Sequence, residues 1–372
     1  MIYLDHNATT PVRPEVVSRM AEVLALPGNP SSTHAAGRQA RKVLDDARDQ
    51  LAAACGASSR EIVFTSGGTE ANGMALSGTG AEHLIVSATE HDSVLTHAGE
   101  TVLPVDIVPV DAGGRVKLDV LEDCLKSAKG RVLVSMMLAN NETGVLQPIS
   151  EIVALARQYD AQVHCDAVQA FGKVPVDFKA LGVDYMSLSS HKIGGPKGVG
   201  CLVLRAGLDV KPFVHGGGQE MGRRSGTENL PGIGGFGMAA SMVPDLLEQM
   251  NELVQWRDGL ESDMRSASND VVVMGDPDNR LPNTLNISMP GVDNDVQLMA
   301  LDLAGYCVSA GSACSSGKVS VSHVLQAMNV PPDVARTTLR ISFGWNTQQQ
   351  DVEAFAEAWK DIYRRKAAKA AQ

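Results

Sequence analysis

Through the first two thirds of the chain, short apolar runs rich in β-branched residues alternate with stretches whose apolar positions recur every three or four residues. Strands buried on both faces read as continuous apolar runs, so this alternation predicts a parallel sheet covered by helices on both sides. The predicted strands are Ile62–Thr65, His83–Ser87, Asp106–Val110, Arg131–Met136, Gln162–Cys165, Tyr185–Leu188 and Gly200–Leu204. Ser150–Tyr159 carries Ile152, Val153, Leu155 and Ala156 at helical spacing, with Ser150 as a candidate N-cap. A long helical stretch from about Phe236 to Ala267 follows. The pattern then changes to strands at Val271–Met274, Asn283–Met289 and Leu339–Phe343, a helix near Asn294–Ala304 and a closing helix. This last part predicts a smaller α+β unit, and without repeats or long linkers the two parts should pack closely around a ligand cleft.

The length of 372 residues exceeds the roughly 250–300 that one core sustains, which supports two units. The apolar fraction of 44% is that of an ordinary globular chain. With 32 Lys+Arg against 43 Asp+Glu, the net charge of −11 argues against a broad nucleic-acid surface and leaves only a local RNA contact open. Lys360, Arg364, Arg365, Lys366 and Lys369 complement the C-terminal end of the final helix, with a basic docking tail as the other reading. The N-terminus lacks a basic segment followed by an apolar one, and no run reaches the ~18 apolar residues of a membrane span, so a cytoplasmic location is expected. Cys55, Cys124, Cys165, Cys201, Cys307 and Cys314 are scattered without a C-x-x-C pair, and the nine histidines show no H-E-x-x-H. Reduced thiols and no metal site are expected.

Four segments could carry chemistry. Ser189-Ser190-His191-Lys192 follows a predicted strand and precedes a glycine-rich turn, which suits a lysine that forms an imine with an aldehyde cofactor such as pyridoxal phosphate; a solvated loop lysine is the alternative. Thr65-Ser66-Gly67-Gly68-Thr69-Glu70 joins a strand to a helix near Glu70, where backbone N–H groups and hydroxyls can hold a phosphate; a plain turn is equally compatible. Asp166 ends a buried-looking strand and wants a cation, which in a pyridoxal enzyme is the ring nitrogen, or else it caps a helix. Cys314 lies among small residues in Ser309-Ala310-Gly311-Ser312-Ala313-Cys314-Ser315-Ser316-Gly317, as an accessible carrier thiol requires, whereas an arbitrary cysteine is an inert small hydrophobe. Gly232-Ile233-Gly234-Gly235-Phe236-Gly237 matches G-x-G-x-x-G but follows no strand, so a dinucleotide site is discounted.

From about Tyr3 to Phe343 the chain resembles the NifS-like and IscS-like cysteine desulfurases of the class V aminotransferase group. The resemblance rests on ordered markers: Tyr3-Leu4-Asp5, Ala8-Thr9-Thr10-Pro11, Gly28-Asn29-Pro30-Ser31-Ser32, Ser66-Gly67-Gly68-Thr69-Glu70, Thr89-Glu90-His91, Asn140-Asn141-Glu142-Thr143-Gly144, His164-Cys165-Asp166-Ala167, Ser190-His191-Lys192, Arg224-Ser225-Gly226-Thr227 and Gly311-Ser312-Ala313-Cys314. It implies a pyridoxal-phosphate transferase of fold type I: a large domain, 16–245, with a mostly parallel seven-stranded sheet, and a smaller α+β domain from 1–15 and 246–372. The class V unit as a whole would span 3–360.

The resemblance also implies roles. Lys192 would hold pyridoxal phosphate as an imine, His91 stack on the ring, Asp166 pair with its nitrogen and Gln169 contact its phenolic oxygen. Gly68, Thr69, Ser189 and His191 would bind the phosphate, and Thr227 would reach the phosphate of the other subunit of a homodimer. Asn141 and Arg340 would bind the substrate carboxylate, and Lys192 and His91 would move protons. L-cysteine would be desulfurated to L-alanine, leaving a persulfide on Cys314 for an acceptor such as an iron–sulfur scaffold or a tRNA-thiolation route. The chain departs from the pattern at Ser320-Val321, where relatives often carry Glu-Pro, which leaves loop behaviour and acceptor preference open. A class V transaminase or lyase in which Cys314 is incidental, and a catalytically idle scaffold, are the rival readings.

Overall fold

In the computed structural model, residues 1–311 and 322–370 are described, the last five of these by their backbone alone. Eleven strands occur among them: β1 (Ile2–Tyr3), β2 (Ile62–Thr65), β3 (His83–Ser87), β4 (Val105–Val108), β5 (Val132–Met137), β6 (Gln162–Asp166), β7 (Tyr185–Ser189), β8 (Gly200–Leu204), β9 (Thr284–Ser288), β10 (Tyr306–Cys307) and β11 (Thr338–Ser342). Seven of them form one sheet in the order β2-β8-β7-β6-β5-β3-β4. β8 runs antiparallel to both its neighbours, while β7, β6, β5, β3 and β4 are mutually parallel.

The sheet's sequence signature follows from burial on both faces. Along β2, Ile62 and Phe64 point into one apolar cluster and Val63 into another. Leu84 and Val86 of β3 join the second cluster while Ile85 joins the first. Successive side chains leave a strand on opposite faces, so helices on both sides turn an alternating pattern into an unbroken apolar run.

Helix Leu230–Ser241 packs on helix Ala35–Ala54 through the glycine motif that mimics a nucleotide fingerprint. A Cβ on Gly237 would lie 2.6 Å from the Ala47 Cα, and one on Gly234 would lie 3.2 Å from the Val43 Cγ1. The glycines therefore serve close helix packing. Gly237→Ala should destabilise the protein by about 1–3 kcal/mol. The clash is with main chain, which outweighs the ~1 kcal/mol helix-propensity gain of alanine. A lower urea midpoint with an unchanged slope would show it; an unchanged or higher midpoint would refute it.

A second apolar core joins β9 and β11, which are antiparallel, to helices Val243–Arg265 and Gln349–Ala370. The N-terminal segment enters this core through Leu4 and pairs β1 with β10. Three expectations need correction. The long helix is two, Leu230–Ser241 and Val243–Arg265, because Pro244 in the first turn of the second lacks the N–H that a continuous helix needs. Val271–Met274 makes only a bridge from Val273 to Ile287 rather than a strand. Ser150 lies inside helix Ile149–Gln158, whose N-cap is Pro148, so it caps nothing.

Candidate active site

Five strands deliver the loops of one cavity at their carboxyl ends, the usual ligand position in an open α/β sheet. Gly68 and Thr69 follow β2, His91 and Ser93 follow β3, Asn141 follows β5, Asp166 to Gln169 end and follow β6, and Ser189 to Lys192 end and follow β7. With Ala8 from the N-terminal segment they enclose about 300 Å³. Nine of the residues singled out from sequence thus meet here: Gly68, Thr69, His91, Asn141, Asp166, Gln169, Ser189, His191 and Lys192.

Gly68 opens the helix Gly68–Gly78, two residues before the Glu70 start that the sequence suggested. The first N–H groups of a helix have no partner within it, so Gly68 and Thr69 offer donors to an anion, aided by the helix dipole. Ser189, 3% exposed, and His191 stand beside them. Burial, reinforced by Lys192, Lys197 and Lys173, pushes the His191 pKa down to about 4. His191 is therefore neutral at pH 7, and its Nδ1 lies 3.1 Å from the Thr9 Oγ1.

Asp166 closes β6 rather than capping a helix. Its Oδ1 accepts from the Val168 N at 3.0 Å and its Oδ2 from the Asn72 Nδ2 at 2.8 Å, both neutral donors. A carboxylate only 6% exposed and held by neutral groups against a cavity suits a cationic ligand atom. The same Asn72 Nδ2 donates to the Ser93 Oγ at 2.9 Å, which lies 2.9 Å from the His91 Nδ1. His91 caps the helix Asp92–Glu100 by accepting from the Ser93 N at Nδ1, which leaves Nε2 as the nitrogen outside that cap. Glu90, fully buried beside this network, is pushed to a pKa well above the ordinary carboxyl value by burial.

The Lys192 Nζ donates to the carbonyl oxygens of Asn7 and Ala8. Gln169 meets it there, its Nε2 donating to the Asn7 O at 2.9 Å. An anion cradle, a buried acid and a lysine amine lining one cavity fit the phosphate, the ring nitrogen and the aldehyde of pyridoxal phosphate.

Two expected residues stand elsewhere. Arg340, on β11, places Nη2 2.8 Å from the Asp5 Oδ1 and donates from Nη1 to the Asn141 O at 3.1 Å. Its Nε is buried without a partner, so one donor of the guanidinium is unused. Thr227 is exposed and lines a separate hollow of about 140 Å³ with Ser66 and Arg224. Cys314 lies outside the described residues, as do Ser320 and Val321, but both flanks of that stretch are defined. A Cβ on Gly311 would lie 3.0 Å from the Ser322 Cβ and 3.2 Å from the Glu142 Oε2. Ser322 donates to the same Glu142 oxygen, next in sequence to the cavity residue Asn141.

Sequence reasoning missed Asn72, Ser93, Asn7 and Lys173. Asn72 was the most accessible of them, a polar residue within the apolar helical stretch Ala71–Leu76.

The aminotransferase class-V family matches residues 2–355. The chain belongs to this family. Within it, the likeness is to the NifS- and IscS-like cysteine desulfurases. A cysteine desulfurase IscS of Dictyoglomus turgidum is 43% identical over 94% of this chain and 91% of its own. A putative cysteine desulfurase IscS 1 of Bacillus subtilis is 40% identical over 98% and 99%. The X-ray structure of a NifS-like protein from Rickettsia africae superposes with a TM-score of 0.91 at 37% identity, covering 98% and 99% of the two chains.

Proposed function

We propose that this chain is a pyridoxal-phosphate-dependent cysteine desulfurase that takes sulfur from L-cysteine, releases L-alanine and carries the sulfur as a persulfide on Cys314. The observation that carries the reading is the meeting of Lys192, Asp166 and the Gly68-Thr69 turn around one cavity, with Glu142, next in sequence to the cavity residue Asn141, accepting from Ser322 and lying close to Gly311 at the two ends of the segment that contains Cys314.

Pyridoxal phosphate, when bound, supplies an aldehyde carbon for the substrate amine and a cationic ring that accepts the electron pair released at Cα. Gly68, Thr69, Ser189 and His191 would hold the phosphate, Asp166 would keep the ring nitrogen protonated, Gln169 would donate to the phenolic oxygen and His91 would pack against the ring. The Lys192 amine would move the Cα proton, with His91 as the second proton carrier. Asn141 and Arg340 bind the substrate carboxylate, Arg340 through donors that Asp5 and the Asn141 carbonyl keep oriented. The Cys314 thiolate attacks the substrate sulfur. An S–S bond forms, the Cβ–S bond breaks, and its electron pair stays on the carbon fragment, which is protonated to alanine.

Thr227, exposed in its separate hollow, would complete the phosphate site of a second copy of the chain, which makes the working form a homodimer. A sulfur acceptor such as an iron–sulfur scaffold, or a tRNA-thiolation route, then collects the persulfide sulfur. The five described cysteines are free thiols, which suits a reducing cytoplasm. Among the described residues no helix is long and apolar enough to cross a membrane.

The test is to supply the cofactor-loaded protein with L-cysteine and a reductant. Alanine and sulfide should appear in equal amounts, and a protein that binds the cofactor and forms neither would instead be a transaminase or lyase. Asp166→Asn should keep the cofactor, because Asn72 can rotate its amide and present its unpartnered Oδ1 to the new amide. Turnover should nonetheless fall about 10²- to 10³-fold, as when one preorganised charge partner is removed. Sulfide release at the wild-type rate would show that Asp166 does not hold the ring proton.

A further inference from the structure

Lys173 lies in the loop after β6, four residues beyond Gln169, and is 6% exposed. Its Nζ donates to the Asn7 Oδ1 and the Gln169 Oε1, each at 2.7 Å. An ammonium has donors only, so it accepts the oxygen and rejects the NH₂ of any amide turned toward it. With its oxygen held, Gln169 directs Nε2 to the other side, where one hydrogen goes to the Asn7 carbonyl and the second is left for the cavity that Gln169 lines. Asn7 is fixed in the same way. Its Nδ2 donates to the Thr284 Oγ1 at 2.9 Å and to the Asn141 carbonyl at 3.2 Å, the carbonyl that also accepts from Arg340.

We propose that Lys173 is a positioning residue that locks the Gln169 amide with Nε2 toward the cofactor's phenolic oxygen, and so sets the acidity of the imine joining Lys192 to the cofactor. The inference rests on the pyridoxal-phosphate reading above. An unlocked amide can rotate to present its oxygen to the phenolate, turning an attraction into a repulsion. Loss of the lysine's charge leaves two N–H bonds for the two oxygens but adds a lone pair that accepts from an amide NH₂, so the lock is strongest when the lysine is protonated. Burial, with Lys192 and Arg340 nearby, lowers the Lys173 pKa well below its ordinary value. The titratable groups around Lys192 are His191 on its own turn, Lys173 and Asp166 after and on β6, His91 at its helix cap, His6 in the N-terminal segment and Arg340 on β11. Of these only Lys173 holds the Gln169 oxygen.

The sign follows from competition for the phenolate. A donor on that oxygen draws charge from it and weakens its hold on the imine proton, so removing the donor raises the imine pKa. The experiment titrates the visible absorbance of the cofactor-loaded protein against pH for wild type, Lys173→Met, Gln169→Leu and the double variant. Each single variant should retain the band with its midpoint raised by about one to two pH units, the value of a hydrogen bond to a charged group. The double variant should match the single ones, because Lys173 acts through Gln169. An unmoved midpoint in Lys173→Met, or shifts that add in the double variant, would overturn the role. Absence of the band in wild type would instead sink the cofactor reading. If Lys173→Met does not fold, Lys173→Gln, which keeps a donor for one of the two oxygens, is judged by the same criteria.

Discussion

Lys192→Ala is expected to lower cysteine turnover by at least about 10³-fold while leaving the fold intact, since covalent attachment and proton transfer are lost together. The fold should survive because the Asn7 carbonyl that Lys192 contacts is also satisfied by Gln169, and the lysine side chain is only half-buried at the cavity. The truncation therefore leaves no stranded donor in the core. The Gly68-Thr69 turn and Asp166 remain, so pyridoxal phosphate should still associate, now reversibly and without the visible band of a lysine-bound cofactor. Absorbance, cofactor content after gel filtration and sulfide release check this together. A variant that keeps both the band and the rate would mean that another amine holds the cofactor. Lys173 is the nearby alternative, and its bonds to two amide oxygens make it the wrong candidate.

Cys314→Ala is expected to abolish sulfide release with no change in cofactor binding. The Gly68-Thr69 turn, Asp166 and Lys192 all lie at or just beyond the ends of strands of the large sheet, whereas Cys314 follows Gly311, which comes after β10 in the chain. Its removal subtracts the attacking sulfur and leaves the binding groups untouched. A transaminase or lyase using the same cavity would have no need of this thiol, so its activity would pass through the substitution unchanged.

The large sheet was legible because burial on both faces writes itself into the sequence: β2, β3 and β8 occupy the predicted Ile62–Thr65, His83–Ser87 and Gly200–Leu204. The cavity-lining residues at strand ends were legible for a related reason. Asp166 ends one mostly apolar strand and Lys192 follows another within a few residues, where burial of a polar group demands a partner. The groups that orient them were not legible. Asn72 meets Asp166 across 94 positions and Lys173 meets Asn7 across 166, and no local pattern encodes such a contact. Lys173 in particular reads as a surface lysine after a turn, since only the assembled fold shows that it is enclosed. Failures of local prediction had local causes that tertiary packing decided, as at Val271–Met274, where one bridge to β9 replaced a full strand.

The central claim is that sulfur from cysteine passes through Cys314, and its most direct measurement is the mass of the protein after brief exposure to L-cysteine without reductant, followed by peptide mapping. The account predicts a species heavier by sulfur, localised to the peptide containing Cys314, absent from Cys314→Ala and discharged by added thiol with release of sulfide. An unmodified Cys314 peptide in a protein that nevertheless converts cysteine to alanine would contradict it.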